Sequence, residues 1–324
     1  MKKRVMIALA SIILLTLSLV FVNQIPQGQD SFATIYPWSY AVTVDLNDGS
    51  AESITLPLLL LDSRHNSKRT DPKLFSAQII SKSDLDSGFL ENGMDVTITE
   101  ITENGKINVE GGPVYRYDFS ASVPLTSNFV YKDAHLVFLY NDGSSEAFYL
   151  GDLSFINTPH VDSSPHLRKL RALPVLNMQA WEMTALIIEF MVEEEICLES
   201  FDFGLPKYGI STERVIYLKE DMDKLEKMYF DQNLDQEFEG IYSLPRVDTR
   251  QVSLGGLVME PGVSTLVIPF NFVKGENFSP ISVLGGNLCY SVNDVQYTYI
   301  IESIPYVTGV LQSAVEEYVN NVRQ

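Results

Sequence analysis

Only two cysteines, Cys197 and Cys289, occur in 324 residues. That scarcity excludes a disulfide-built scaffold and, without a Cys-x-x-Cys pair, a thiol-redox role. One bridge between the two or a pair of buried free thiols both fit, because spacing along the chain does not place their Cα atoms within bridging distance. Histidine is nearly as rare, with His65, His135, His160 and His166. His160 and His166 flank Asp162, but a Pro/Ser-rich segment does not preorganise ligands and no third or fourth donor accompanies them, so no metal is expected. Basic residues are outnumbered 23 to 42 by acidic ones, a net charge of −19. Such a chain lacks the cationic footprint that nucleic acid or anionic lipid needs as a broad-surface partner. Missing too are a Gly-x-Ser-x-Gly elbow, a Walker loop, a His-Glu-x-x-His helix and a Ser-x-x-Lys box. Gly255-Gly256 and Gly285-Gly286 lack the following helix that would present N–H groups to phosphate. No cofactor and no catalytic chemistry are expected.

What the chain does have is an apolar leader. After Met-Lys-Lys-Arg at 1–4, residues 5–22 carry no charge. As a helix rising about 1.5 Å per residue this run would span roughly 27 Å, close to a bilayer's hydrocarbon thickness. It exceeds the apolar part of an ordinary secretory signal, and no Ala-x-Ala follows, which favours an uncleaved signal anchor over a cleaved signal peptide. Lys2, Lys3 and Arg4 should stay cytoplasmic, leaving the rest outside. With those three set aside, 20 basic residues face 42 acidic ones in the external part. The expectation is a single-pass protein of a bacterial cell membrane held through 5–22, with release after cleavage as the alternative.

Residues 23–35 read as a polar tether, and from there short β-type segments follow one another. Three Gly turns suggest hairpins: 41–46 with 54–61 around Asn47-Asp48-Gly49, 96–101 with 107–109 around Asn104-Gly105, and 137–140 with 147–150 around Asn141-Asp142-Gly143. The near-identity of 47–52 and 141–146 fails the EF-hand spacing, so repeated turn chemistry is the better reading. Segments 75–80 and 114–123 supply further strands. Beyond a Pro/Ser/Asp-rich break, strands resume at 185–191, 196–203, 252–259, 264–272, 289–292 and 296–301. Helices are expected at 219–230 and 307–322, the latter amphipathic and packed on the second half. The fold class is therefore mainly β: two antiparallel β-sandwich-like domains after an N-terminal membrane helix, at 36–156 and 169–324, joined by a linker at 157–168.

Candidate sites are few. Glu193-Glu194-Glu195 with Asp202 could run glycoside hydrolysis if two acids faced one another across a cleft, although consecutive acids between strands more often form a solvated turn. Against the acidic background stand two basic stretches, Arg64, Lys68 and Arg69 in a loop, and Arg168, Lys169 and Arg171 past the linker. These are the candidate binding residues, for an envelope protein or polymer and not for nucleic acid. A membrane-anchored, outward-facing, non-catalytic binding protein is the leading expectation, and a surface carbohydrate-active hydrolase the alternative.

Overall fold

The computed structural model describes residues 32–44, 53–99, 101–109, 111–124, 128–158, 166–177, 182–210, 215–219, 251–252, 254–272, 279–305 and 312–323. The apolar run 5–22, the linker residues 159–165 and all but the first residue of the helix expected at 219–230 lie outside them. Among the described residues no helix is long and apolar enough to cross a membrane.

Among the described residues the chain is mainly β, with two sheets and few helices. Its first half supplies β1 (Ala33–Ile35), β2 (Ser39–Val44), β3 (Ser53–Asp62), β4 (Phe75–Ile80) and β5 (Met94–Ile98). It continues with β6 (Thr102–Val109), β7 (Gly112–Pro124), β8 (Phe129–Tyr140) and β9 (Ser145–Asn157). The second half supplies β10 (Leu167–Asn177), β11 (Glu182–Val192), β12 (Ile196–Asp202), β13 (Tyr208–Ile210) and β14 (Val215–Leu218). Then come β15 (Gln251–Val252), β16 (Leu257–Met259), β17 (Gly262–Phe272), β18 (Ile281–Val292) and β19 (Val295–Pro305). Helices α1 (Ser67–Thr70) and α2 (Lys82–Ser87) are single turns, and α3 (Gln312–Arg323) closes the chain.

The larger sheet runs β1-β3-β7-β5-β4-β8-β9-β2-β18-β12-β16, with β6 beside β7 and β19 beside β18. It turns a corner at β5, whose first residues pair with β4 and whose last pair with β7. A strand shared between layers in this way lets one ladder cover both sides of a core. Leu56, Leu58 and Leu60 of β3 and Phe119 of β7 thus meet Leu136 and Phe138 of β8 and Phe155 of β9. The smaller sheet, β10-β11-β17-β14-β15 with β13 on β17, lies over the β12–β18 region. Leu186, Ile188 and Phe190 of β11 there share a second core with Leu198, Leu288 and Tyr290. Each such buried side chain is worth about 1.5–3 kcal/mol.

Only one of the three expected hairpins forms as drawn. β8 and β9 pair antiparallel, with Leu139 opposite Ser145, around a turn whose Gly143 takes φ 84°. Residues 41–44 do not pair with 54–61, and the Asn47-Asp48-Gly49 turn lies outside the described residues. Instead β2 lies between β9 and β18, parallel to both, so the sheets are not wholly antiparallel. The apparent alternation in β2 misleads because its polar residues are inside: Ser39 and Thr43 are buried, and Ser39 Oγ bonds Ser279. A strand covered on both faces is the ordinary setting for parallel pairing. The third hairpin turns later than expected. β6 pairs with β7, and Asn104-Gly105 forms a bulge inside β6, where Gly105 takes φ 81°. The Pro261-Gly262 turn joins strands of different sheets, since β16 pairs with β12 and β17 with β11.

The C-terminal helix also goes elsewhere than expected. Val315 and Val319 are buried in the first core, not the second. Tyr318 Oη exchanges a hydrogen bond with Thr34 Oγ1 at 3.0 Å and donates to the Ile35 carbonyl at 3.2 Å. An apolar stripe at 315 and 319 packs wherever an uncovered core lies within reach, and β1 provides one.

Candidate functional site

The first basic stretch turns inward. β3 ends at Asp62, which is fully buried, and the chain folds through α1 so that Arg69 returns over it. Arg69 Nη1 donates to Asp62 Oδ2 at 2.8 Å, while Nε and Nη2 each donate to Glu146 at 2.7 Å. Tyr140 Oη adds a bond to Glu146 Oε2 at 2.7 Å. The Arg69 fork holds the Glu146 carboxyl below the usual range despite partial burial, and burial raises the Tyr140 phenol. Lys68 Nζ donates to Asp142 Oδ2 at 2.8 Å and Ser144 Oγ at 2.7 Å, and sits 4.1 Å from the Tyr140 ring centre. The Asn141-Asp142-Gly143 turn is thus a dock for the basic loop. Of the three candidates here only Arg64 is exposed.

The second stretch lies on β10, the end strand of the smaller sheet. Arg171 Nη2 donates to Glu189 Oε2, its cross-strand neighbour, at 2.9 Å. Arg168 is exposed and Lys169 half-buried, with the Lys169 N–H given to Tyr299 Oη at 3.0 Å. Leu170 falls in a register shift of the ladder between Lys169 and Arg171. It is 36% exposed and Leu173 is 39% exposed, so Arg168, Leu170 and Leu173 present a mixed cationic and apolar stripe.

The acids of the alternative reading do not converge. Glu193, Glu194 and Glu195 are exposed in the turn before β12, and Glu194 pairs with His166. Asp202 ends β12, where it is exposed and accepts the Gly204 N–H at 2.9 Å. A seven-residue strand between them spans roughly 23 Å. Glycoside hydrolysis needs about 5–9.5 Å between its carboxyls.

Cys197 and Cys289 lie in the neighbouring strands β12 and β18, opposite Ser291 and Ser200 respectively, and both are free thiols with no disulfide between them. His135 Nδ1 contacts the Asp133 carbonyl at 2.9 Å, and burial lowers its imidazole. His160 and Asp162 are outside the described residues, among which no three His, Cys, Asp or Glu side chains are grouped to hold a metal.

A fourth place gives no clear signal in the sequence. Lys207, in the turn before β13, is fully buried. Its Nζ donates to Asp133 Oδ1 at 2.5 Å and to Tyr149 Oη at 3.0 Å, and stands 3.1 Å from Asp152 Oδ1. Asp133 sits at the shift in the β8 ladder with φ 56°, a conformation that aims its carboxylate at the lysine. Asp152 is fully buried, accepts the Asp133 N–H at 3.1 Å, and leaves Oδ2 without a hydrogen-bond partner. Burial alone would lower the Lys207 ammonium. The bonds to Asp133 and Tyr149 outweigh it and hold the group above the ordinary lysine value. Asp133, partly buried, is correspondingly held below the carboxylate range by Lys207. The one sequence sign was an acid, Asp152, between Leu150-Gly151 and Leu153 in an apolar run.

No protein-family description matches the chain, and no curated protein does. Among solved structures, the D00-D0 domain of intimin aligns with 85% of this chain and 100% of its own, at 10% identity and a TM-score of 0.17. The native conformation of E. coli alpha-2-macroglobulin aligns with 84% of this chain and 16% of its own, at 8% identity and a TM-score of 0.18. Likenesses of that size carry no argument.

Proposed function

We infer that this is an outward-facing envelope protein, anchored through 5–22, that works by binding and not by catalysis. Its two larger cores are read as two sandwich-like domains. The observation that carries the reading is the β10 stripe. In an acidic protein, exposed Arg168 stands with Leu170 and Leu173 on a terminal strand, a surface suited to an acidic protein segment or an anionic envelope polymer. Charge, the bulge at Leu170 and Pro174 also blunt the strand edge against indiscriminate pairing, so recognition falls to the side chains. The apolar leader with its cationic flank supports delivery across the membrane.

The test is crosslinking in intact cells, followed by identification of the captured partner with wild type and with the double variant Arg168→Glu, Lys169→Glu. Capture that is weakened by salt and lost in the variant is the expected result. Equal capture by both proteins would remove the β10 surface from the account. External protease should digest the body in whole cells while 5–22 stays with the membrane fraction.

A further inference from the structure

Binding at β10 makes no use of the cluster around Lys207, which the fold assembles from positions 74 residues apart. We propose that Nζ of Lys207 and Cγ of Asp133 condense into an intramolecular amide, with Asp152 carrying the proton. Three observations lead there. Nζ lies 2.5 Å from Oδ1, which puts Cγ roughly 3–3.7 Å away, overlapping the near-attack range of about 3–3.5 Å. Asp152 has one oxygen 3.1 Å from the same nitrogen and the other buried without a hydrogen-bond partner, so a proton acceptor is already in place. Two of the three groups, Lys207 and Asp152, are fully buried and Asp133 is partly so, and Tyr149 Oη bonds Nζ and Asp133 Oδ1 together. In bulk water such a condensation runs backwards. In a preorganised, largely buried site the amine and the proton carrier lose most of their hydration, which favours the condensed product.

The step balances without any outside reagent. At rest the ion pair keeps the proton on Lys207; the reactive form is the minor one in which that proton has crossed the short contact to Asp133, leaving a neutral amine beside a neutral acid. The nitrogen lone pair forms the N–C bond to Cγ. Asp152 takes a second proton from the nitrogen and hands it to the departing hydroxyl as the C–O bond breaks. One water leaves, and one amide N–H remains.

The experiment is tandem mass spectrometry of tryptic peptides from the full-length folded protein. Expected is a branched peptide joining the segments that contain 133 and 207, lighter by one water than their sum, with cleavage after Lys207 blocked. It should vanish in Lys207→Met and Asp133→Ala and be strongly depleted in Asp152→Asn. Separate, unmodified peptides from the wild-type protein would overturn the proposal, and that measurement does not depend on any variant folding. A full yield of branched peptide in Asp152→Asn would remove Asp152 as the proton carrier.

Discussion

Arg69 sits on Asp62 with almost no water around either, and the arrangement stabilises only while both partners remain. Arg69→Ala leaves the Asp62 carboxylate buried without its counter-ion, and a loss of about 3–5 kcal/mol in denaturant unfolding is expected. Acid should erode part of that difference. The fork holds the folded Glu146 carboxyl below its ordinary value of 4.5, so its contribution is complete above that value and is lost as pH falls through the folded one. Wild type and Arg69→Ala should therefore converge as unfolding is repeated from neutral pH down to about 3. Gly151 offers a backbone counterpart. It takes φ 112°, and a Cβ there would meet the Trp38 carbonyl oxygen at 2.2 Å, whereas one at Gly105 would meet nothing within 4 Å. Gly105→Ala should cost about 1–2 kcal/mol in thermal unfolding from φ alone, and Gly151→Ala at least about 3. The thiols are simpler. Cys197 and Cys289 should both take up an alkylating reagent in the unfolded protein without prior reduction, as a mass shift of two adducts would show. None of these pairings was legible in the sequence, because burying a charge depends on which carboxylate the fold returns to it. The loop of Arg64, Lys68 and Arg69 looked cationic only because Asp142 and Glu146 lie far along the chain, in the β8–β9 turn and at the start of β9.

At the scale of elements, strand identity was easier to read than strand partners. Most expected strands exist, since apolar runs bounded by Gly turns need no tertiary context. Pairing depends on which faces end up covered. β2 looked amphipathic until Ser39 and Thr43 proved buried, and Asn104-Gly105 served a bulge as well as it could have served a turn. The helix α3 carries the same lesson: its stripe at Val315 and Val319 was plain, its destination was not. Val315→Ala and Val319→Ala should each cost roughly 1.5–3 kcal/mol. Hydrogen exchange should then quicken first in β1, where Thr34 and Ile35 hold Tyr318, and not in the smaller sheet. Uniform acceleration across both sheets would place the helix differently from its position here.

Across the whole molecule, the β9–β2–β18 ladders tie the two halves into one sheet. A protein nicked in the segment 159–165 should keep its two fragments together on native size exclusion and release them only in denaturant. Of the overall architecture the sequence shows an acidic, strand-rich body behind an apolar leader. It does not show the shared sheet, because nothing local marks a strand that will be covered from both sides by segments more than 100 residues away.

That position of β2 has a bearing on how the protein is made. Its neighbour β9 follows it by about one domain length, but β18, which sets Ile281 opposite Ser39, emerges far later. Until then Tyr40, Ala41 and Val42 present one bare flank, and a partly made chain waits with its central seam open. Closing such distant pairings is slow, on the order of milliseconds to seconds or longer. The interval between the making of β2 and the making of β18 is when this chain is most open to mispairing.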